Sequence, residues 1–297
     1  MSGVLPGCSV GFVGTGVMGR SMAGHLMDAG YRVRIHTRTR EKARTLEERG
    51  AVWCGSLEEV TLGASAVITM LGYPSDVEAT YLGDGGLVQR AAEGTVLVDM
   101  TTSCPSLAER VAGAGSRRGV RVLDAPVSGG DLGAREARLV IMAGGDASGF
   151  GVALPLFQRM GKTIEHLGGP GSGQRCKMAN QVAVAVGMVA WVEALVLAEA
   201  GGLEPAKVQG LLAGGAAGSW AFSQLAPRAL AGDFAPGFFV KHLVKDIGIA
   251  LEYAAERGLQ MAGLETAGRL YRALEGGGFG EYGTQALYRF CRERAGL

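Results

Sequence analysis

Short runs rich in β-branched residues alternate with amphipathic stretches from Ser9 onward, and the alternation stops at the loop Gly168-Gly-Pro-Gly-Ser-Gly173. The strand-like runs are Ser9–Val13, Tyr31–Ile35, Ala66–Met70, Thr95–Asp99, Arg121–Asp124 and Leu139–Met142. Strands that alternate with helices predict a parallel, doubly wound sheet. Beyond Gly173 the chain is helical in character, rich in alanine and leucine, with breaks at Gly201-Gly202, Gly214-Gly215, Pro236-Gly237 and Gly276-Gly-Gly278. The pattern therefore predicts an α/β chain, with residues 1–168 forming the sheet domain and 169–297 an all-α domain. The apolar run near 182–198 is bounded by Gln181 and interrupted by Glu193. It falls short of the roughly 20 residues a membrane span needs, so it reads as a central helix. A helix apolar over that length needs more cover than one small domain supplies, which predicts a homodimer or homotetramer.

At 297 residues two cores are expected, and a net charge of +1 with 19% charged residues gives no electrostatic footprint for nucleic acid. The fifty glycines follow no fixed period, which sets fibrous and low-complexity structure aside. Cys8, Cys54, Cys104, Cys176 and Cys291 are odd in number and scattered, with no zinc or disulfide spacing, and His166 and His242 have no metal-like spacing. No metal is expected. The first residues carry no secretory signature, and a reducing cytoplasm is the expected compartment.

Chemistry enters at two places. Gly14-Thr15-Gly16-Val17-Met18-Gly19 follows a predicted strand and opens a predicted helix, the setting in which a glycine loop cradles a dinucleotide pyrophosphate. The sheet domain thus reads as an N-terminal Rossmann domain. After the second strand the chain runs His36-Thr37-Arg38-Thr39-Arg40, with no acid before Glu41 to bind a ribose 2′-hydroxyl. Arg38 with Thr37 and Thr39 suits a 2′-phosphate, so NADP is expected over NAD. Further on, Lys177, Asn180 and Gln181 share one helix face at i, i+3 and i+4. An ammonium and two carboxamides there can hold a carbonyl oxygen, and a desolvated lysine can donate a proton. Ser128-Gly129-Gly130 combines a hydroxyl with unhindered N–H groups, a nest for a carboxylate. Lys245 has Lys241 at i−4; Lys245 is read as functional and Lys241 as surface. Trp220, Phe222, Phe238 and Phe239 gather around glycine breaks and read equally as pocket wall or as helical core.

These motifs in this order, Gly11-Phe-Val-Gly14-Thr-Gly16-Val-Met18-Gly19 with Met22-Ala23, Asp124-Ala-Pro-Val-Ser128-Gly129-Gly130, Gly171 to Gln181, and Lys245-Asp246, resemble the β-hydroxyacid dehydrogenases. That group includes 3-hydroxyisobutyrate dehydrogenase, tartronate semialdehyde reductase and glyoxylate/succinic semialdehyde reductase. The resemblance implies that Lys177 is the catalytic lysine and Asn180 its hydrogen-bonding partner. It implies that Ser128, Gly129, Gly130 and Gln181 meet a small carboxylate substrate. Met70-Leu71 matches the segment lining the nicotinamide ribose, Thr101 a hydroxyl touching the cofactor, and Lys245 a lysine reaching toward it. Thr37-Arg38-Thr39 is similar to the Asn-Arg-Thr of NADP-preferring semialdehyde reductases. Two positions depart: His25 stands where asparagine is common, and Gln181 where many members have asparagine. The implied reaction is NADP-dependent reduction of a semialdehyde or 2-oxo acid, with Lys177 donating the proton. An imine reductase and a silent dinucleotide-binding scaffold are the alternatives, and the presence of Lys177 argues against both.

Overall fold

The computed structural model describes residues 3–297. Two compact units are present, one running to Lys177 and the other from Met178 to Leu297. The division falls inside the long helix Ser172–Ala200, past the loop at Gly168 where the sequence pattern changes.

The first unit is built on nine strands: β1 (Ser9–Val13), β2 (Arg32–His36), β3 (Val52–Trp53), β4 (Ala66–Thr69), β5 (Val96–Asp99), β6 (Arg121–Asp124), β7 (Val127–Ser128), β8 (Leu139–Gly145) and β9 (Gly161–His166). They are ordered β3-β2-β1-β4-β5-β6-β8-β7, with β9 on β8. The six strands from β3 to β6 are parallel, as the alternation of strand and helix predicts. β8 departs from the prediction and runs antiparallel to both β6 and β7. Strand direction follows from the connection, and the link from β7 to β8 holds only the short helix Gly130–Arg135. No local residue pattern records that reversal.

The central strands β4 and β5 are buried at every position, so both faces must be covered. Adjacent residues enter opposite cores, as a period of two requires. Ile68, Val98 and Leu123 pack with Phe12, Met22, Leu26, Ile35 and Phe157. Val67, Leu97 and Val122 pack with Tyr81, Leu87 and Val111 on the other side. Past the strands' carboxyl ends the backbone stays in register, with Gly14 N–H on His36, Met70 N–H on Val13 and Met100 N–H on Thr69. The sheet order reverses between β1 and β4, and ligands of such sheets bind outside the carboxyl ends at that point.

The second unit is helical: Pro205–Ala213, Trp220–Gln224, Ala226–Leu230, Val240–Ala255, Ala262–Leu274 and Ala286–Arg294 accompany most of the long helix. Phe222 is buried and stacks on Trp191 at 6.3 Å, whereas Trp220 is exposed. The aromatic cluster therefore splits, with Phe222 in the core and Phe238 and Phe239 flanking His242. The long helix corrects one expectation. It continues N-terminal to Gln181, and by length and apolar composition alone it would reach across a membrane; 33% of its most apolar stretch is buried.

Candidate active site

The glycine loop joins β1 to the helix Val17–Asp28, whose N-cap is Gly16. A methyl group on Gly14 would lie 2.2 Å from the Met70 carbonyl oxygen, and one on Gly19 would lie 1.9 Å from the Gly14 carbonyl oxygen. Strand, loop and helix thus approach backbone to backbone. Around Gly16 the space is open. The first turn of this helix has neither a side-chain cap nor an acidic residue, so its N–H groups and dipole are left for an anion. The Thr15 hydroxyl is buried and has no partner among the described residues. Nearby, Thr101 Oγ1 accepts the Leu71 N–H at 2.9 Å, which ties the loops after β4 and β5 together. The Thr69 hydroxyl donates to Asp99 Oδ1 at 2.8 Å, and that oxygen also accepts the Thr101 N–H at 3.1 Å. Tyr81 closes the chain, 3.0 Å from the Thr69 hydroxyl; its burial holds the phenol well above its ordinary pKa.

After β2, Arg38 is 84% exposed and pairs with Asp76 at 3.1 Å, while Thr39 is exposed and Thr37 half-buried. Asp76 also accepts the Tyr73 N–H at 3.2 Å, so the arginine is tethered to the start of the helix Pro74–Leu82.

Lys177 is buried, and its ammonium donates to the Val127 carbonyl at 2.9 Å. The next residues are Ser128, Gly129 and Gly130. The two glycines have φ of +128° and +61°, a backbone path that a side chain would strain. His25, from the first helix, bonds the Ala134 carbonyl at 2.9 Å and braces the turn that follows. Asp124 stands three residues before Val127. Its Oδ1 accepts the Gly171 N–H and its Oδ2 the Gln174 N–H, both at 2.8 Å. Burial, opposed by these bonds, raises its pKa from 3.8 to about 6.

In the helical unit, the Asn180 amide donates to Gln181 Oε1 at 2.7 Å. Gln181 is buried and donates in turn to Asp246 Oδ2 at 2.7 Å. Asp246 Oδ1 pairs with Lys245 Nζ at 2.9 Å. Both ends of the Gln181 carboxamide are thus engaged inside the unit, holding Asn180 by its nitrogen. Lys241 and Lys245 do not oppose each other as a bare like-charge pair: Lys241 bonds Glu281 and lies over the Phe239 ring. Lys241, read as surface, is half-buried.

Sequence comparison decides what this arrangement belongs to. Residues 9–168 match the model of the NAD binding domain of 6-phosphogluconate dehydrogenase. Residues 171–291 match that of the NAD-binding domain of NADP-dependent 3-hydroxyisobutyrate dehydrogenase. The 2-hydroxy-3-oxopropionate reductase of Escherichia coli is 35% identical over 278 residues, covering 94% of this chain and 95% of that protein. The chain belongs to the β-hydroxyacid dehydrogenase family. Another relative, the uncharacterized oxidoreductase YkwC of Bacillus subtilis, is 48% identical over 281 residues, 95% of this chain and 98% of that one. Among solved structures, Mycobacterium tuberculosis 3-hydroxyisobutyrate dehydrogenase with L-serine matches with a TM-score of 0.86 at 30% identity, covering 96% and 99% of the two chains.

This β-hydroxyacid dehydrogenase is therefore an NAD(P)-dependent oxidoreductase acting on CH–OH groups. The residues present fit a dinucleotide: the open space at Gly16, the uncapped helix start and the unpartnered Thr15 hydroxyl supply room and donors for a pyrophosphate. Sequence reading named Asp124 and Asp246 as motif members without a role, and passed over Gln174, Thr69, Asp99, Tyr81 and Asp76. Gln174 stands one helical turn before Lys177, the single local signal that pointed to it. The others are joined to the site only by tertiary folding.

Proposed function

We propose that this β-hydroxyacid dehydrogenase reduces a small semialdehyde or 2-oxo acid to the hydroxy acid, prefers NADP, and uses Lys177 as the proton donor. The observation that carries the reading is the buried Lys177 ammonium on the carbonyl of Val127, directly before the Ser128-Gly129-Gly130 nest. A substrate carboxylate held by that nest is thereby set beside a proton donor. The substrate class draws support from the relatives named for 2-hydroxy-3-oxopropionate and 3-hydroxyisobutyrate.

Gly14 to Gly19, Thr101, Met70, Leu71 and Lys245 would hold the cofactor, which when bound supplies the hydride. The chain's own contribution is electrostatic and protonic. As negative charge grows on the carbonyl oxygen, the Lys177 ammonium stabilises it and then donates a proton. Gln181 holds the amide nitrogen of Asn180 at 2.7 Å, which leaves the Asn180 carbonyl oxygen as the accepting end of that amide. NADP preference rests on Arg38, with Thr37 and Thr39 beside it and no acid at the end of β2. A second copy of the chain covers the apolar surface of the long helix, and the reducing cytoplasm suits five free cysteines.

The deciding experiment follows NADPH and NADH oxidation with succinic semialdehyde, glyoxylate, tartronate semialdehyde and methylmalonate semialdehyde. Lys177→Ala should lower kcat by about 10²- to 10⁴-fold, the range for a positioned general acid, with NADPH affinity nearly unchanged. Near-native turnover in that variant would remove the lysine from the mechanism.

A further inference from the structure

We infer that Asp124 and Gln174 are positioning residues that fix where the Lys177 ammonium stands relative to the Ser128–Gly130 nest. The inference rests on the proton-donor reading of Lys177 and adds the device that aims it.

Three observations carry it. Asp124 receives two N–H groups from the start of the long helix, Gly171 and Gln174, each at 2.8 Å. Gln174 then grips the loop after β5 with both ends of its side chain. Its Oε1 accepts the Ser103 N–H at 2.9 Å, and its Nε2 donates to the Thr101 carbonyl at 2.8 Å. Gln174 is fully buried, and Lys177 follows it by three residues on the same face of the helix. The third observation is steric. A methyl group on Gly173 would lie 2.3 Å from the Met142 carbonyl oxygen and 2.5 Å from that of Asp124. One on Gly144 would lie 2.6 Å from the Gly173 nitrogen and 2.7 Å from Asp124 Oδ1. At Gly173 the helix start rests directly on the main chain of β6 and β8.

One segment, Asp124-Ala-Pro-Val127-Ser128, therefore holds the helix at two places and continues into the nest. Asp124 fixes the first turn by its carboxylate, and the Val127 carbonyl receives the lysine itself at 2.9 Å. A proton donor must stay within hydrogen-bond reach of its acceptor, so a small tilt at Gln174 would move the ammonium out of line. Neither residue needs to touch substrate to affect turnover.

Asp124 accepts one N–H on each oxygen, and protonation would weaken this grip by turning one oxygen into a hydroxyl donor and a poorer acceptor. Its surroundings place its titration near neutrality: burial raises its pKa to about 6, the Gln174 and Gly171 N–H groups oppose the rise, and Asp99, the charged neighbour across the sheet, adds to it.

The experiment measures kcat, KM and NADPH affinity against pH with succinic semialdehyde as probe, in the unmodified enzyme and in Asp124→Asn, Gln174→Met and Lys177→Ala. The unmodified enzyme should lose kcat as pH falls through about 6, and Asp124→Asn should lack that limb. Both positioning variants should lose at least 10-fold in kcat with NADPH affinity within threefold of the parent. In the Lys177→Ala background either change should have little further effect, because its action passes through the lysine. Should Asp124→Asn fail to fold, Gln174→Met and the pH profile of the unmodified enzyme still decide. Unchanged kcat in a folded variant, additive losses with Lys177→Ala, or a flat acid profile in the unmodified enzyme would overturn the inference. Full turnover in Lys177→Ala would instead overturn the proton-donor reading on which it rests.

Discussion

Asp246 offers the sharpest test of how the helical unit is held together. Its side chain is buried, with Gln181 Nε2 on one oxygen at 2.7 Å and Lys245 Nζ on the other at 2.9 Å. Asp246→Ala would leave a buried carboxamide donor without this acceptor, a loss of about 1–3 kcal/mol. It would also break an ion pair whose lysine side chain is only 13% exposed, for which about 3–5 kcal/mol is the usual scale. The two losses share one carboxylate and do not add in full, so about 3–5 kcal/mol is expected in total. At about 4 °C per kcal/mol for a unit of this size, the melting temperature should fall by about 10–20 °C. Asp246→Asn keeps an acceptor for Gln181 and should lose less, about 1–3 kcal/mol. Adding Lys245→Met to Asp246→Ala removes the ammonium that has lost this carboxylate and should recover part of the loss. Circular dichroism melts of the parent, Asp246→Ala, Lys245→Met and the double variant supply the cycle, with Asp246→Asn measured beside them. An Asp246→Ala melt close to that of the parent, or a double variant as unstable as the sum of the singles, would refute the reasoning.

Three further outcomes are expected. Arg38→Ala should weaken NADPH binding by about 10- to 100-fold, the scale of one charge-assisted bond to phosphate, and leave NADH binding nearly unchanged; fluorescence titration with both nucleotides checks it. Gly19→Ala places a methyl 1.9 Å from the Gly14 carbonyl oxygen and should abolish dinucleotide binding in the same titration. Two variants should tilt the pH dependence of thermal stability in opposite senses. Asp124 binds its proton more tightly folded than unfolded, so its contribution falls as pH rises from 3.8 to about 6. His242, lowered from 6.5 to about 4 first by burial and then by Lys245, with Asp246 and Glu281 opposing, destabilises the fold as pH falls across that interval. Asp124→Asn and His242→Phe should each remove one of these slopes, and melts between pH 4 and 7 distinguish them.

The sheet was legible where strands are buried at every position, as in Ala66–Thr69 and Val96–Asp99, because full burial leaves a short run dominated by aliphatic and β-branched residues. It was not legible at Gly161–His166, where the polar residues Lys162, Thr163 and Glu165 are exposed and break a strict alternation, nor at the two-residue strands Val52–Trp53 and Val127–Ser128. The glycine loop and Lys177 stood out because each is a local residue pattern. What surrounds the lysine did not. Its Val127 partner is 50 residues away, and the two contacts of Gln174 reach back 71 and 73 residues. Such pairings exist only once the sheet has brought its carboxyl ends together. Gln181 shows the converse: its face on the helix was evident, but its engagement by Asp246, 65 residues on, redirects it from the open side to the interior.

The direct seating of Gly173 against Asp124 and Met142 bears on how this scaffold could be diversified. Substitutions at a side-chain contact are absorbed by rotamer changes, whereas main chain resting on main chain has no such slack. Libraries that vary loops for new carbonyl compounds should therefore retain glycine at 144 and 173 among their active members, while nearby surface positions drift freely. That depletion would be visible by sequencing the survivors alone, before any kinetic constant is measured.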